Sequence, residues 1–247
     1  MAGTQGLGQT LQKGDDVRRG EYDTGRGPSD PVSMSATGPT HGCEDSPESS
    51  PSRREALSRL AQEMSTAGLS QRTLVFGEGN PDTAVVIIGE APGKEEEIRG
   101  RPFVGPAGQM LDSLFAEVAL RRDEMWTTNV VKWRPVRDIR RRVVTRAPNI
   151  EEVMESVKWL EREIDIIKPR ILLCLGSVSA KALIDRRFEI SRQRGQWRRS
   201  LLGPDALATF HPSYLLRVGG GRDRLIELVL RDLRAVKEKC QQHDSRA

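Results

Sequence analysis

The sequence predicts a three-layer α/β/α fold built on a central, mostly parallel sheet of four strands. Segments with strand and helix periodicity alternate along the chain from residue 53 onward. The strand segments are continuously apolar, as in AVVII at 84–88 and ILLCL at 171–175, the pattern of strands covered on both faces. Two polar loops stiffened by Gly and Pro, at 89–97 and 211–217, follow such runs. In an open α/β sheet, ligands bind beyond the C-terminal ends of the strands.

Taken in order, residues 1–52 are rich in Gly, Ser, Pro, Asp and Arg and nearly devoid of large apolar residues, so a disordered tail is expected. One domain is expected over 53–240. A helix over 53–68 places Leu57, Leu60, Ala61 and Met64 at helical spacing, with Gly68 as its stop. Leu74-Val75-Phe76 precedes a turn at 77–81, and 84–88 is a buried strand ending at Gly89. A helix over 107–118 puts Met110, Leu111, Leu114, Phe115 and Val118 on one face, and 126–131 is the next strand. A long Arg-rich loop leads to a helix over 149–167, striped by Val153, Val157, Leu160, Ile164 and Ile167. The third strand is 171–175, and Gly176-Ser177 opens a helix through 184. The last buried strand is 207–210. A terminal helix over 222–240 carries Leu225, Leu228, Val229, Leu233 and Val236, with a disordered end at 241–247.

Only 36% of the 247 residues are hydrophobic and mean hydropathy is −0.52; the deficit sits mostly in the N-terminal tail. Met1 is not followed by an apolar run, no stretch approaches membrane-spanning length, and Asp15, Asp16 and Glu21 argue against a mitochondrial presequence. The expectation is a soluble cytoplasmic monomer, nucleoid-associated and not membrane-bound. Net charge is only +4, but arginines gather at 134, 137, 140, 141, 142 and 146 beside a single acid, Asp138, and again at 192, 194, 198 and 199. Charge runs usually face water; the choice of arginine over lysine points toward phosphate contact. Cys43, Cys174 and Cys240 form no CxxC pair, which argues against disulfides and zinc; Cys174 reads as a small core hydrophobe.

The loops combine a carboxylate, an aromatic ring, an amide and a histidine, residue types suited to a flat hydrogen-bonding ring. FGEGNP at 76–81, GEAPGKEEE at 89–97, GRPFVGPAGQML at 100–111, TNVVKWRP at 128–135, LCLGSVSAKAL at 173–183 and HPSYLLR at 211–217 follow one another in order. On these motifs, residues 72–236 resemble the family 4 (thermostable-type) uracil-DNA glycosylases. The resemblance implies the glycosylase-like α/β/α fold and cleavage of the N-glycosidic bond of deoxyuridine in DNA, with the base flipped out of the stack.

By that resemblance, Asn129 is the candidate reader of uracil, its amide donating to O4 and accepting from N3–H. Phe103 is the stacking platform, and Gly89, Ala91 and Pro92 shape the uracil loop. His211 is the candidate electrophile at O2, where negative charge develops. Glu96 takes a supporting catalytic role and Glu90 holds the loop. Ala91 stands where families with a GQDPYH-like loop carry an aspartate, and Gly93 where some relatives carry a tyrosine that blocks the thymine methyl. Ser213, Leu215, Leu216 and Arg217 are candidate DNA contacts, the leucines as an apolar wedge and the arginine on phosphate; Arg140, Arg141 and Arg142 are further phosphate contacts.

The chain also departs from the family. Family 4 enzymes usually carry a four-cysteine iron–sulfur cluster. Here the segment around 64–67 has no cysteine, the third ligand position is Trp133, and the fourth falls near Ser156. A cluster needs thiolates, so neither cofactor nor metal is expected, and Trp133 is expected to fill the vacated volume. The loop at 137–146 holds no histidine, so the covalent uracil trapping of some relatives is not expected. Three functions remain: a monofunctional uracil-excising enzyme of base excision repair, a catalytically weak or inactive DNA- or uracil-binding descendant, and a small-molecule-handling α/β protein. The matching pocket motifs argue against the third.

Overall fold

The computed structural model describes residues 51–67 and 72–244, which lie in one compact unit. All but the last two residues of the expected tail at 1–52, and the last three of the expected C-terminal tail, lie outside the described residues. Helix α1 (Arg53–Thr66) opens on a reciprocal capping box: Glu55 N–H donates to Ser52 Oγ and Ser52 N–H donates to Glu55 Oε2. The short strand β1 (Glu78–Gly79) leads to β2 (Val85–Gly89), which runs into α2 (Lys94–Arg99) and α3 (Pro106–Glu117). Strand β3 (Trp126–Asn129) follows, then β4 (Val136–Ile139) and β5 (Arg142–Thr145), and then α4 (Ile150–Ile167). Strand β6 (Ile171–Leu175), α5 (Ser177–Leu183), α6 (Ile190–Gln193), β7 (Arg198–Arg199), β8 (Asp205–Thr209), α7 (Pro212–Arg217) and α8 (Arg222–Asp244) complete the chain.

The sheet order is β1-β3-β2-β6-β8-β7. Its centre is the expected set of four parallel strands, β3, β2, β6 and β8. The expectation of four strands in all is corrected to six, because antiparallel edge strands of two residues flank the core on each side. A two-residue polar edge strand carries no hydrophobic period, so nothing in the sequence announced it.

Alternate residues of the central strands feed two separate cores. Val86, Ile88, Leu172, Cys174, Ala206 and Ala208 pack toward α1, α4 and α5. Val85, Ile87, Ile171, Leu173, Leu175 and Leu207 pack toward α3, α7 and α8. Continuous apolar strands are the consequence of a sheet with no wet face.

Two differences matter for function. The Arg-rich segment is an antiparallel hairpin, β4 paired with β5, whose tip residues Arg140 (φ 48°) and Arg141 (φ 64°) are both left-handed. That is the backbone of a type I′ turn, normally made by Asn-Gly; a sequence reading keyed to those residues sees a loop. Helix α8 runs to Asp244, beyond the expected end at 240.

The region where the resemblance implies a cluster is filled by packing. Trp133 is buried against the core that includes Met64 and Trp159. Arg72 stacks over its ring at 4.2 Å and is paired with Glu155 at 2.9 Å, while Leu74 bridges to it as an isolated antiparallel partner. Ser156 Oγ accepts the backbone N–H of Lys132 at 3.1 Å. Trp133 therefore ties the 72–75 segment and the hairpin stem to the core. Trp133→Ala is expected to cost about 3–5 kcal/mol of unfolding free energy and to open the 136–145 hairpin to protease, measured by chemical denaturation and limited proteolysis.

Candidate active site

A cavity of about 370 Å³ lies beyond the C-terminal ends of the central strands. It brings together Glu90, Ala91, Pro92, Gly93, Glu96, Phe103, Asn129, His211, Ser213 and Arg217, all singled out from the sequence. Its wall is completed by Thr145, Arg146 and Ala147 at the foot of the hairpin.

The floor is set by pairing of β2 with β3, in which Gly89 faces Asn129 in parallel register. A Cβ on Gly89 would lie 2.3 Å from Asn129 Oδ1 and 2.5 Å from Phe103 Cζ, so glycine is required for amide and ring to meet there. Asn129 is only 2% exposed, yet its side-chain amide makes no hydrogen bond to any described residue. Both atoms of that amide open onto the cavity, where a ligand can complete their hydrogen bonds. Phe103 is held in the left-handed region (φ 53°), a strained state for an aromatic residue. Two features fix it. Gly108 leaves space for its carbonyl, which a Cβ there would approach to 1.8 Å, and Arg122 donates to that carbonyl at 3.0 Å while paired with Asp112. The sequence reading missed Arg122; it sits in a 3-10 turn with no motif to mark it.

The two carboxylates differ from the division of labour expected from the sequence. Glu96 is the one that holds the loop. Its Oε2 accepts the Gly93 N–H at 3.1 Å and its Oε1 the Gly105 N–H at 2.9 Å, joining the N-terminus of α2 to that of α3. A Cβ on Gly93 would come within 2.6 Å of Glu96 Oε2, so the carboxylate fills the place that a larger residue at 93 would take. Glu90 faces the cavity and makes no hydrogen bond with a described residue. Burial raises its pKa, against an opposing pull from Arg217.

His211 caps α7, and Ser213 fixes its tautomer. The Ser213 backbone N–H donates to Nδ1 at 3.1 Å, so in the neutral ring Nδ1 is the acceptor and Nε2 carries the hydrogen. Burial, then the charge of Arg217, push its pKa down to about 4. The site therefore holds a neutral imidazole that donates from Nε2. Its ring is stacked with that of Phe103, centroids 6.0 Å apart at 30°. Gly176, at φ +93°, clears its Cβ.

Other expected contacts fall elsewhere. Leu215 is corrected: it is fully buried in the α3/α7/α8 core and cannot act as a wedge. On a short helix only one face is free, and it presents Leu216 (40% exposed) and Tyr214 (42% exposed). Tyr214, tilted against Phe210 at 5.5 Å, was legible in the HPSYLLR motif but not singled out. Arg140, Arg141 and Arg142 are exposed at the hairpin tip, outside the cavity. Their neighbours Arg134 and Arg146 are structural: Arg134 pairs with Glu97 at 3.0 Å, and Arg146 makes a two-toothed pair with Glu152. In the second arginine group, Arg194 is spent on Asp232 and the Leu228 carbonyl.

An amide with no hydrogen-bond partner among the described residues, an aromatic ring, an imidazole whose pKa is lowered and a carboxylate whose pKa is raised by burial line one strand-end pocket, the composition of an enzyme site. Comparison with known proteins narrows this. A family model described as "Uracil DNA glycosylase superfamily" matches residues 76–234. The chain is 38% identical over 170 residues to a type-4 uracil-DNA glycosylase of Thermotoga maritima, covering 68% of this chain and 84% of that one. It is 36% identical over 179 residues to one from Pyrobaculum aerophilum (64% and 88%), and 34% identical over 176 residues to one from Archaeoglobus fulgidus (67% and 81%). The chain belongs to the uracil-DNA glycosylase superfamily.

The residues at the implied cluster positions do not fit a four-thiolate iron–sulfur centre. Trp133 is packed and capped by Arg72, Ser156 is committed to the Lys132 N–H, and the whole chain has three cysteines, of which Cys174 lies inside β6 and Cys240 on α8. Among the described residues no group of three or more His, Cys, Asp or Glu is placed to hold a metal, and no helix is long and apolar enough to cross a membrane.

The imidazole of His211 is expected to titrate near pH 4 by NMR, with the hydrogen on Nε2 in the neutral form. Between its ordinary 6.5 and about 4, the unfolded chain takes up this proton and the folded chain does not. His211 therefore costs stability as pH falls through that window, and the melting temperature of His211→Gln should decline less between pH 6.5 and 4 than that of the parent.

Proposed function

We propose that this protein is a monofunctional uracil-DNA glycosylase of base excision repair, hydrolysing the N-glycosidic bond of a deoxyuridine flipped out of DNA and leaving an abasic site. Supporting this reading is the convergence of Asn129, Phe103, His211 and Glu90 on one cavity. In it, uracil stacks on Phe103. The Asn129 amide donates to O4 and accepts from N3–H; cytosine, with an amino group at C4 and no N3 hydrogen, leaves both halves of that amide opposed. As the N1–C1′ bond breaks, its electron pair passes to the base and charge gathers on O2, where the Nε2–H of His211 donates. A neutral donor suits an anion that leaves unprotonated, and it acts more strongly on the transition state than on the ground state. Water adds to C1′ and its proton passes to Glu90, whose raised affinity for protons makes it a better base than an ordinary carboxylate.

Outside the pocket, Arg217 at the mouth and the hairpin arginines hold phosphate, and Leu216 with Tyr214 fills the gap left by the flipped base. The same reading includes action as a monomer without a metal or cluster, in the cytoplasm and on the nucleoid, with a disordered tail ahead of the domain. Glu96 serves here as a positioning residue for the loop.

The direct test is incubation with an end-labelled oligonucleotide carrying one uracil, followed by alkali. Strand cutting should require both. Asn129→Ala should remain folded and lose about 10- to 100-fold of the single-turnover rate, the cost of leaving paired hydrogen bonds of about 1–3 kcal/mol unmade. A wild-type rate in that variant removes Asn129 from uracil recognition.

Arg140, Arg141 and Arg142 replaced together by Gln should weaken binding to any duplex and lower the log–log salt slope by roughly one unit for each phosphate no longer neutralised. Cleavage at saturating DNA should change little. Filter binding across a salt series is the measurement.

A further inference from the structure

Beneath Asn129 lies a fully buried charged network. The side chains of Lys132 and Glu163 are both 0% exposed and paired with each other. Lys132 Nζ also donates to Thr128 Oγ1 at 2.6 Å, and that hydroxyl donates to Glu163 Oε2 at 3.0 Å. Burying two charges brings no stability that well-packed apolar residues could not equal or exceed, so the network calls for another reason. Its location supplies one. Thr128 and Lys132 are four residues apart, and the bond between their side chains closes a loop around Asn129, Val130 and Val131.

Every other tie of this segment runs to a different element. The Val130 N–H donates to the Gly89 carbonyl at 3.1 Å and the Val131 N–H to that of Glu90 at 3.0 Å. The Lys132 N–H donates to Ser156 on α4, and its carbonyl accepts the Val75 N–H at 2.7 Å. Glu163 lies two turns along the same helix. In a segment anchored on three sides, the side chain of Asn129 makes no hydrogen bond with a described residue and faces the cavity.

We propose that Thr128, Lys132 and Glu163 are positioning residues that fix the Asn129 amide at the pocket floor. They do so by locking the end of β3 to α4 through a charge network whose geometry, unlike an apolar contact, admits one arrangement of the 128–132 turn. The inference rests on the reading of Asn129 as the group that recognises uracil.

The test uses free uracil as an inhibitor and the uracil-containing oligonucleotide as substrate. Thr128→Val keeps the shape and removes the hydroxyl; Thr128→Ser keeps the hydroxyl. Thr128→Val should weaken inhibition by free uracil about tenfold and slow single-turnover cleavage by a similar factor, while Thr128→Ser restores both. In an Asn129→Ala background, Thr128→Val should change inhibition by less than about twofold, because coupled residues are not additive. If Thr128→Val does not fold, Lys132→Met combined with Glu163→Leu, which removes both charges at once, is read in the same way. The proposal is overturned if the network variant binds free uracil like wild type, or if its effect adds in full to that of Asn129→Ala. If Asn129→Ala alone leaves uracil binding and cleavage intact, the assignment of Asn129 fails instead.

Discussion

The parallel pairing of Gly89 with Asn129 is the constraint around which the site is arranged. Two central strands end side by side, and the absence of a side chain on one lets the amide of the other and the ring of Phe103 occupy the same small volume. Everything that gives the pocket its shape follows from keeping that close approach. Phe103 must bend into a strained backbone, so Gly108 and Arg122 hold it there. The turn after Asn129 must not slip, so it is tied to β2, to α4 and to the segment at Val75.

The charged and polar groups of the pocket differ in what they are committed to. Glu96 has both oxygens committed to backbone amides. Glu90 has neither oxygen bonded to a described residue, and burial raises its pKa. His211 is kept neutral by the same desolvation, and its tautomer is chosen by a backbone amide two residues away. Arg217 acts on both, pulling the pKa of Glu90 and of His211 down. A single low-dielectric cavity thus raises a carboxylic acid and lowers an imidazole, because in each case burial disfavours the charged form.

Around this centre, surface charge is sorted by neighbours rather than by composition. Arg134, Arg146 and Arg194 look like their clustered companions in the sequence, but each is consumed by an acid on another element. Arg140, Arg141 and Arg142, in contrast, make no ion pair with a described residue and stand exposed at the tip of a hairpin whose strands are almost wholly exposed. An isolated hairpin is marginal in water; this one stands because its stem is pinned by Arg134 to Thr145 and by Arg146 to the Val136 carbonyl. Trp133, just before the stem, supplies apolar surface in the region where the family resemblance implies metal–thiolate bonds.

The sequence by itself determined the layer order, the four central strands and most of the pocket. Those features are written in short-range signals: a run of apolar residues, a helical stripe, a glycine or proline after a strand. The motifs at 89–97, 128–135 and 211–217 sit at strand ends, and strand ends of a parallel sheet are neighbours in space. Only the tertiary structure decided that the Glu96 carboxylate, and not that of Glu90, bonds the loop amides, that Leu215 is core while Leu216 is surface, and that an arginine in a 3-10 turn braces Phe103. Each of these depends on what a side chain meets across the fold. Partners 9, 19 or 35 residues away, as for Glu96, Arg122 and Glu163, leave no trace in a local pattern.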